Sequence, residues 1–197
     1  MLTRNPEEPR DDDHPVQLRH ARGRFANGET IAITLAPDCR ALGLTVDSFN
    51  SLSLEPPLVR WSLRRRTSSL GVFRALPRFA VNLLTKGQNQ LLRQLASRGE
   101  HRFDPPCWQH NGASGLPLRA GAAASFVCEA AARHEACDHD LFIGRALWLS
   151  ENHEAPMMSY GGRLRGLGLL WQTRPAGNPA VTPRFYPAAP GANVARG

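Results

Sequence analysis

The chain is missing several features that would have fixed its class at once. No apolar run approaches the ~18 residues of a bilayer-spanning helix. The opening MLTRNPEEPRDDDHP is acidic and polar, with no apolar stretch of the kind that directs secretion, so a cytoplasmic protein with no membrane contact is expected. Cysteines are few, at Cys39, Cys107, Cys128 and Cys137. None forms a CxxC pair and their spacing fits no zinc pattern, so all four are expected to be free thiols serving as small buried hydrophobes. His14, His20, His101, His110, His134 and His153 show no ligand spacing, and no metal site is expected. There is no internal repeat and no convincing nucleophilic triad. Lysine is nearly absent, so the net charge of +7 is carried almost wholly by arginine. Those arginines are scattered from Arg4 to Arg196 rather than gathered in one run, which weakens a nucleic-acid reading without removing it.

What is present fits one soluble domain. A length of 197 residues, 42% hydrophobic and 21% charged, is enough for a substantial core. Residues 1–15 hold Pro, Glu and three consecutive aspartates and read as a solvated tail. Residues 16–171 read as the domain, and the Pro-, Ala- and Gly-rich residues 172–197 as a loosely held tail. Within the domain, 16–26 predicts a short helix, and Thr30–Leu35 with Ala41–Ser48 predicts a hairpin turning at Pro37-Asp38. Leu58–Leu63 and Arg78–Leu84 predict strands. Ser68–Leu76 predicts a helix capped by Thr67 or Ser68, and Gln88–Ser97 a helix stopped by Gly99. Residues 100–117 read as a long loop. Strands are expected around Phe126–Glu129 and over Asp140–Leu149, the latter with Phe142, Gly144, Ala146 and Trp148 on one face. Trp61 is assigned to the core, and Asp38 and Glu55 to turns. Strands dominate without strict helix alternation, so the expected class is mainly β: a small closed or partly open barrel with peripheral helices.

The chemistry concentrates in Gly43–Leu70, GLTVDSFNSLSLEPPLVRWSLRRRTSSL. Hydroxyl residues interleave with apolar ones through a strand, a turn, a strand and a helix start. A hydroxyl at a strand end can donate to a ligand beside neighbouring backbone N–H groups. Arg64-Arg65-Arg66, just before a helix start, suits a discrete phosphate. From composition alone, a serine-capped surface helix with solvated arginines is the better reading of the same residues.

GLTVDSFNSLSLEPPLVRWSL, followed by TSSLGVFRALPRFAVNLL, resembles the flavin reductase-like domain family, the reductase components of two-component flavin-dependent monooxygenases. Gln88 with its following helix, CDHDLFIGRA at 137–146 and YGGRLR at 160–165 extend the resemblance over residues 16–166. It implies an FMN-binding split β-barrel, Greek-key-like, working as a homodimer with flavin near the interface. Thr45, Val46, Asp47 and Ser48 would lie along the flavin ring. Ser51, Leu52 and Ser53 would line the ring and ribityl region, and Asn82 would reach it from the next strand. Ser62, Arg66, Ser68 and Ser69 would hold the phosphate end. His139 and Tyr160 would flank the nicotinamide as catalytic residues, with Arg163 close by. Three positions depart from the family pattern: Asp47 stands where Asn is usual, Cys137 where Gly precedes Asp-His, and Leu164 where Tyr is common.

The activity implied is hydride transfer from NADH or NADPH to FMN, with FAD also possible, supplying reduced flavin to a partner monooxygenase. Two alternatives remain at this level. One is a flavin-binding electron-transfer or storage protein without productive nicotinamide binding. The other is a non-enzymatic nucleic-acid binder.

Overall fold

Alternation along the strands sorts side chains onto two faces. In β2 (Thr30–Leu35), below, Ala32 packs inward with Trp61, Phe79 and Phe142, while Ile31 and Ile33 point the other way, against Leu84, Leu92 and Trp108. The computed structural model describes residues 17–18, 21–96, 107–166 and 184–185. In chain order the strands are β1 (Asn27–Gly28), β2, β3 (Ala41–Val46), β4 (Asn50–Leu54), β5 (Pro57–Arg64), β6 (Arg78–Leu83), β7 (Trp108–His110) and β8 (Pro117–Arg119). They continue with β9 (Ala124–Ala136), β10 (His139–Glu151), β11 (Met157–Tyr160), β12 (Arg163–Gly166) and β13 (Arg184–Phe185). The helices are α1 (Leu70–Ala75) and α2 (Asn89–Ala96).

The main sheet runs β3-β2-β6-β9-β10-β5-β4, every neighbouring pair antiparallel. Its ends curl toward each other. Ser48 Oγ, just past β3, accepts the Ser62 N–H at 2.9 Å and donates to the Ser62 carbonyl at 3.3 Å. One side-chain clasp therefore stands where a continuous ladder would close the ring, which makes the barrel split. Its interior holds Val46, Trp61, Leu63, Phe79, Val81, Cys128 and Phe142, plugged by Leu70 and Phe73 of α1. Trp61 has no exposed surface; it stacks on Phe142 at 4.5 Å and meets Phe73 and Phe79 edge-on. Each such ring contributes about 1.5–3 kcal/mol by burial alone. Gly144 faces this interior, where an added Cβ would collide with the Phe79 ring and lie 3.0 Å from the Cys128 Cβ.

Several expectations change. α1 starts at Leu70 with Ser69 at its cap position and no side-chain capping bond, so neither Thr67 nor Ser68 caps it. β9 runs to Ala136, well past Glu129, because pairing with β10 carries its polar, exposed half. The register shift between Ala146 and Trp148 flips Trp148 to the outer face, against Ala80, Leu116 and Val127. Part of the expected 100–117 loop forms the β7–β8 hairpin, and residues 97–106 lie outside the described set. Only Cys128 of the cysteines is buried; Cys39, Cys107 and Cys137 are exposed free thiols. The tails at 1–15 and 172–197 also lie outside the described residues, except that Arg184–Phe185 pairs with Trp148 and Leu149 of β10. No described helix is long and apolar enough to cross a membrane.

Candidate flavin and nicotinamide site

A small three-stranded sheet, β1-β11-β12, sits beside the end of β3. The last β2–β3 pair is Thr30↔Val46, which leaves Asp47 at the end of the ladder. Thr45 and Asp47 are exposed while Val46 is buried in the barrel, so alternation turns only the flanking two outward. The Val46 carbonyl accepts from Thr30 Oγ1 at 2.5 Å. Val46 thus serves the core with its side chain, and any ligand contact from it must come from backbone.

A cavity of about 790 Å³ opens here, within the 300–1,000 Å³ usual for cofactor sites. It brings together Asp47, Arg64, Tyr160 and Arg163 from three distant parts of the chain. Arg22, Arg24 and Arg165 complete a strongly cationic wall. Tyr160 pairs with Arg163 across the Gly161-Gly162 turn, where both glycines adopt φ of +60° and +72°. The Gly161 N–H donates to the Gly23 carbonyl at 2.8 Å and ties this turn to the segment before β1.

His139 opens β10 directly opposite Arg64 in the β5–β10 ladder, so the two side chains share one face. Its Nδ1 lies 2.7 Å from Asp138 Oδ1, a contact that holds the Asp138 carboxyl below its usual range. If Nδ1–H donates there, the neutral ring leaves Nε2 as an acceptor. The β9–β10 turn carries Cys137 at φ +50°, the left-handed region in which glycine is at ease.

Beneath the cavity wall Glu29 is buried. Burial raises its carboxyl pKa, the nearby Asp47 charge adds to the rise, and a hydrogen bond with Ser159 opposes it.

The remaining expected contacts lie along β4, β5 and the turn before α1. Ser48 and Ser62 form the barrel clasp. Ser51 pairs with Val59 and Ser53 with Leu58, and Leu52 is the extra residue bulged between them, 47% exposed. Arg66 and Ser68 are exposed and Ser69 is half-buried. Asn82 differs: it has no exposed surface, and its Oδ1 accepts from the Arg119 N–H at 2.9 Å and from Ser125 Oγ at 2.9 Å. Through that oxygen it ties β6 to β8 and β9, while its Nδ2 is buried with no protein partner. No His, Cys, Asp or Glu group among the described residues could hold a metal ion.

The Arg64-Arg65-Arg66 run does not act as one patch. Alternation sends Arg64 to the cavity, while Arg65 lies 3.2 Å from Glu135 and 3.7 Å from Asp140. Asp140 is fully buried and had no sequence signal. Arg74 grips both its oxygens at 2.8 and 2.9 Å and Arg133 donates at 2.8 Å, and the Arg74 hydrogen bonds lead in pulling its carboxyl down to about 2.

A sequence model of the flavin reductase like domain matches residues 22–168, three quarters of the chain. The chain belongs to the flavin reductase-like domain family. FMN reductase (NADH) SmoA of Agrobacterium fabrum is 35% identical over 145 residues, covering 74% of this chain and 82% of that protein. The reductase subunit HsaB of a flavin-dependent monooxygenase from Rhodococcus jostii is 32% identical over 154 residues, covering 78% of each. A solved structure of the NADH:FAD oxidoreductase SgcE6 of Streptomyces globisporus, in complex with NAD and FAD fragments, matches with a TM-score of 0.75. It is 33% identical and covers 83% of this chain and 98% of that one. The mainly β split barrel with few helices is thus the architecture of this family. The arginines at 22, 24 and 165 are what sequence reading missed, and Arg64 was singled out only as part of a phosphate-binding run; the one available signal for Arg165 was its i, i+2 spacing from Arg163 on a strand.

Proposed function

We propose that this chain is an NAD(P)H:flavin oxidoreductase that supplies reduced FMN or FAD to a flavin-dependent monooxygenase. The observation that carries the reading is the single cavity shared by Asp47, Tyr160 and Arg163, with His139 beside it across from Arg64. When bound together, the two cofactors supply the hydride donor at nicotinamide C4 and the acceptor at flavin N5. The protein supplies position. Thr45, the Val46 backbone, Asp47 and Ser48 border the ring, and Ser51, Leu52, Ser53 and Ser62 follow along its tail. Arg66, Ser68 and Ser69 hold the terminal phosphate. Tyr160 and His139 confine the nicotinamide ring, and Arg163 binds its phosphates. Stacking two reactants in one walled site makes the transfer effectively intramolecular.

Edge strand β4 exposes Leu52 and Leu54, the latter 90% exposed. An uncovered apolar edge is a liability in a lone subunit, and a homodimer interface would cover it. Three exposed free thiols suit a reducing cytoplasm.

The test is steady-state oxidation of NADH and NADPH by the purified chain with FMN and with FAD. Turnover with at least one pair is expected. His139→Ala should lose about 10²-fold in turnover while still binding flavin. Flavin binding with no nicotinamide oxidation would leave an electron-transfer or storage protein instead.

A further inference from the structure

SmoA and SgcE6 are named for NADH, yet the wall of this cavity carries more positive charge than NADH can match. Resting on the reductase reading, we propose that the cavity selects NADPH over NADH by binding the 2′-phosphate of its adenosine. Arg22 and Arg24 line this cavity from the segment before β1, Arg64 from the end of β5, and Arg163 and Arg165 from β12. Asp47 is the one carboxylate among the described lining residues, which leaves an excess of four positive charges.

The diphosphate of either donor carries about two negative charges, and a phosphate monoester adds about 1.5 to 2 more at neutral pH. NADPH therefore comes close to balancing this wall, and NADH leaves about half of it unmatched. Guanidinium groups are also the side chains best shaped for bidentate phosphate contacts. Phe25 lines the same cavity with 65% of its surface exposed. A bare aromatic beside arginines is what an adenine base stacks on. β12 alternation places Arg163 and Arg165 on the same face, two residues apart, so Arg165 stands beside the arginine that holds the diphosphate and is free for a further phosphate.

Direct binding separates this proposal from the reductase reading. Adenosine 2′,5′-bisphosphate and adenosine 5′-monophosphate are titrated calorimetrically into the full chain at fixed ionic strength. The bisphosphate is expected to bind about tenfold tighter, the gain of a charge-assisted contact set. The double variant R24A/R165A should remove most of that difference while weakening the monophosphate less than about threefold. Its retained strand pairing is checked by circular dichroism, and Arg24→Lys with Arg165→Lys should restore part of the preference. Equal affinity for the two nucleotides in the unmodified chain, or a preference that R24A/R165A leaves intact, overturns the proposal. A chain that shows the preference yet oxidises neither NADPH nor NADH keeps this site and loses the reductase reading. A chain that turns over NADH well and NADPH at least tenfold worse does the reverse.

Discussion

Asp140 and Asp47 both stand among arginines, one inside the fold and one at a cavity wall. Asp140 has no exposed surface, and every nearby cation is turned onto it: Arg74 and Arg133 by hydrogen bonds, Arg65 at 3.7 Å. Glu135 lies within 3.6 Å of the same three arginines and brings the cluster to within one charge of balance. That cluster is nearly matched internally and binds the β9–β10 turn to α1. Asp47 is exposed and faces a cavity whose described lining holds five arginines. Charge that the fold matches for itself serves structure. Charge left in excess around an opening serves a ligand.

Five predictions sharpen or break this contrast. The largest effect belongs to Asp140→Ala, which strands three arginines around a buried gap. Breaking a fully buried pair costs about 3–5 kcal/mol; these arginines are roughly a third exposed and screened, so about 2–3 kcal/mol is expected in urea unfolding. A loss below about 0.5 kcal/mol would make the cluster ornamental. Acid titration should follow from the same group. Its folded carboxyl ionises at about 2, below the unfolded value near 3.9, so its contribution is complete above about pH 4 and fades as pH falls toward 2. The D140A variant should therefore lose less stability than the unmodified chain between pH 4 and 2.

A smaller gain is expected at the turn between the two regions. Cys137→Gly relieves a left-handed residue and should stabilise by about 1 kcal/mol, read as a raised unfolding midpoint. Smallest in stability is Asp47→Asn. Exposed, it should change folding by under about 0.5 kcal/mol. It removes a negative charge that raises the pKa of Glu29, so Glu29 should ionise at lower pH in the variant. Glu29 itself, raised chiefly by burial, costs the fold stability as pH climbs through its titration. Glu29→Gln should thus raise Tm at pH 8 and give no gain at pH 4.

Strands β2, β3, β5 and β6 are legible in the sequence because each is short, alternating and bounded by Gly, Pro or Asp. The polar half of β9 was not, since residues 130–136 carry no burial pattern and are held by their partner strand alone. Trp148 was misplaced because a bulge inverts alternation and leaves no mark in composition. Asn82 was named from family likeness; its oxygen is held by Arg119 and Ser125, and its buried Nδ2 is left without a protein partner. Asp47, Tyr160 and Arg163 were named from likeness as well, and only the tertiary fold could set residues so far apart in the chain around one cavity. The Asp140 cluster and the cavity arginines Arg22, Arg24 and Arg165 were hidden for one shared reason. Arginine is spread through the whole sequence, and pairing partners 66 residues apart cannot be read from a chain.

The account rests most heavily on hydride transfer at this cavity. Anaerobic mixing of the flavin-loaded chain with NADH or NADPH in a stopped-flow instrument measures it in one turnover. The account predicts rapid, protein-dependent bleaching of the yellow flavin band, slowed about 10²-fold by His139→Ala. A flavin that binds and stays yellow in the presence of both donors would contradict it.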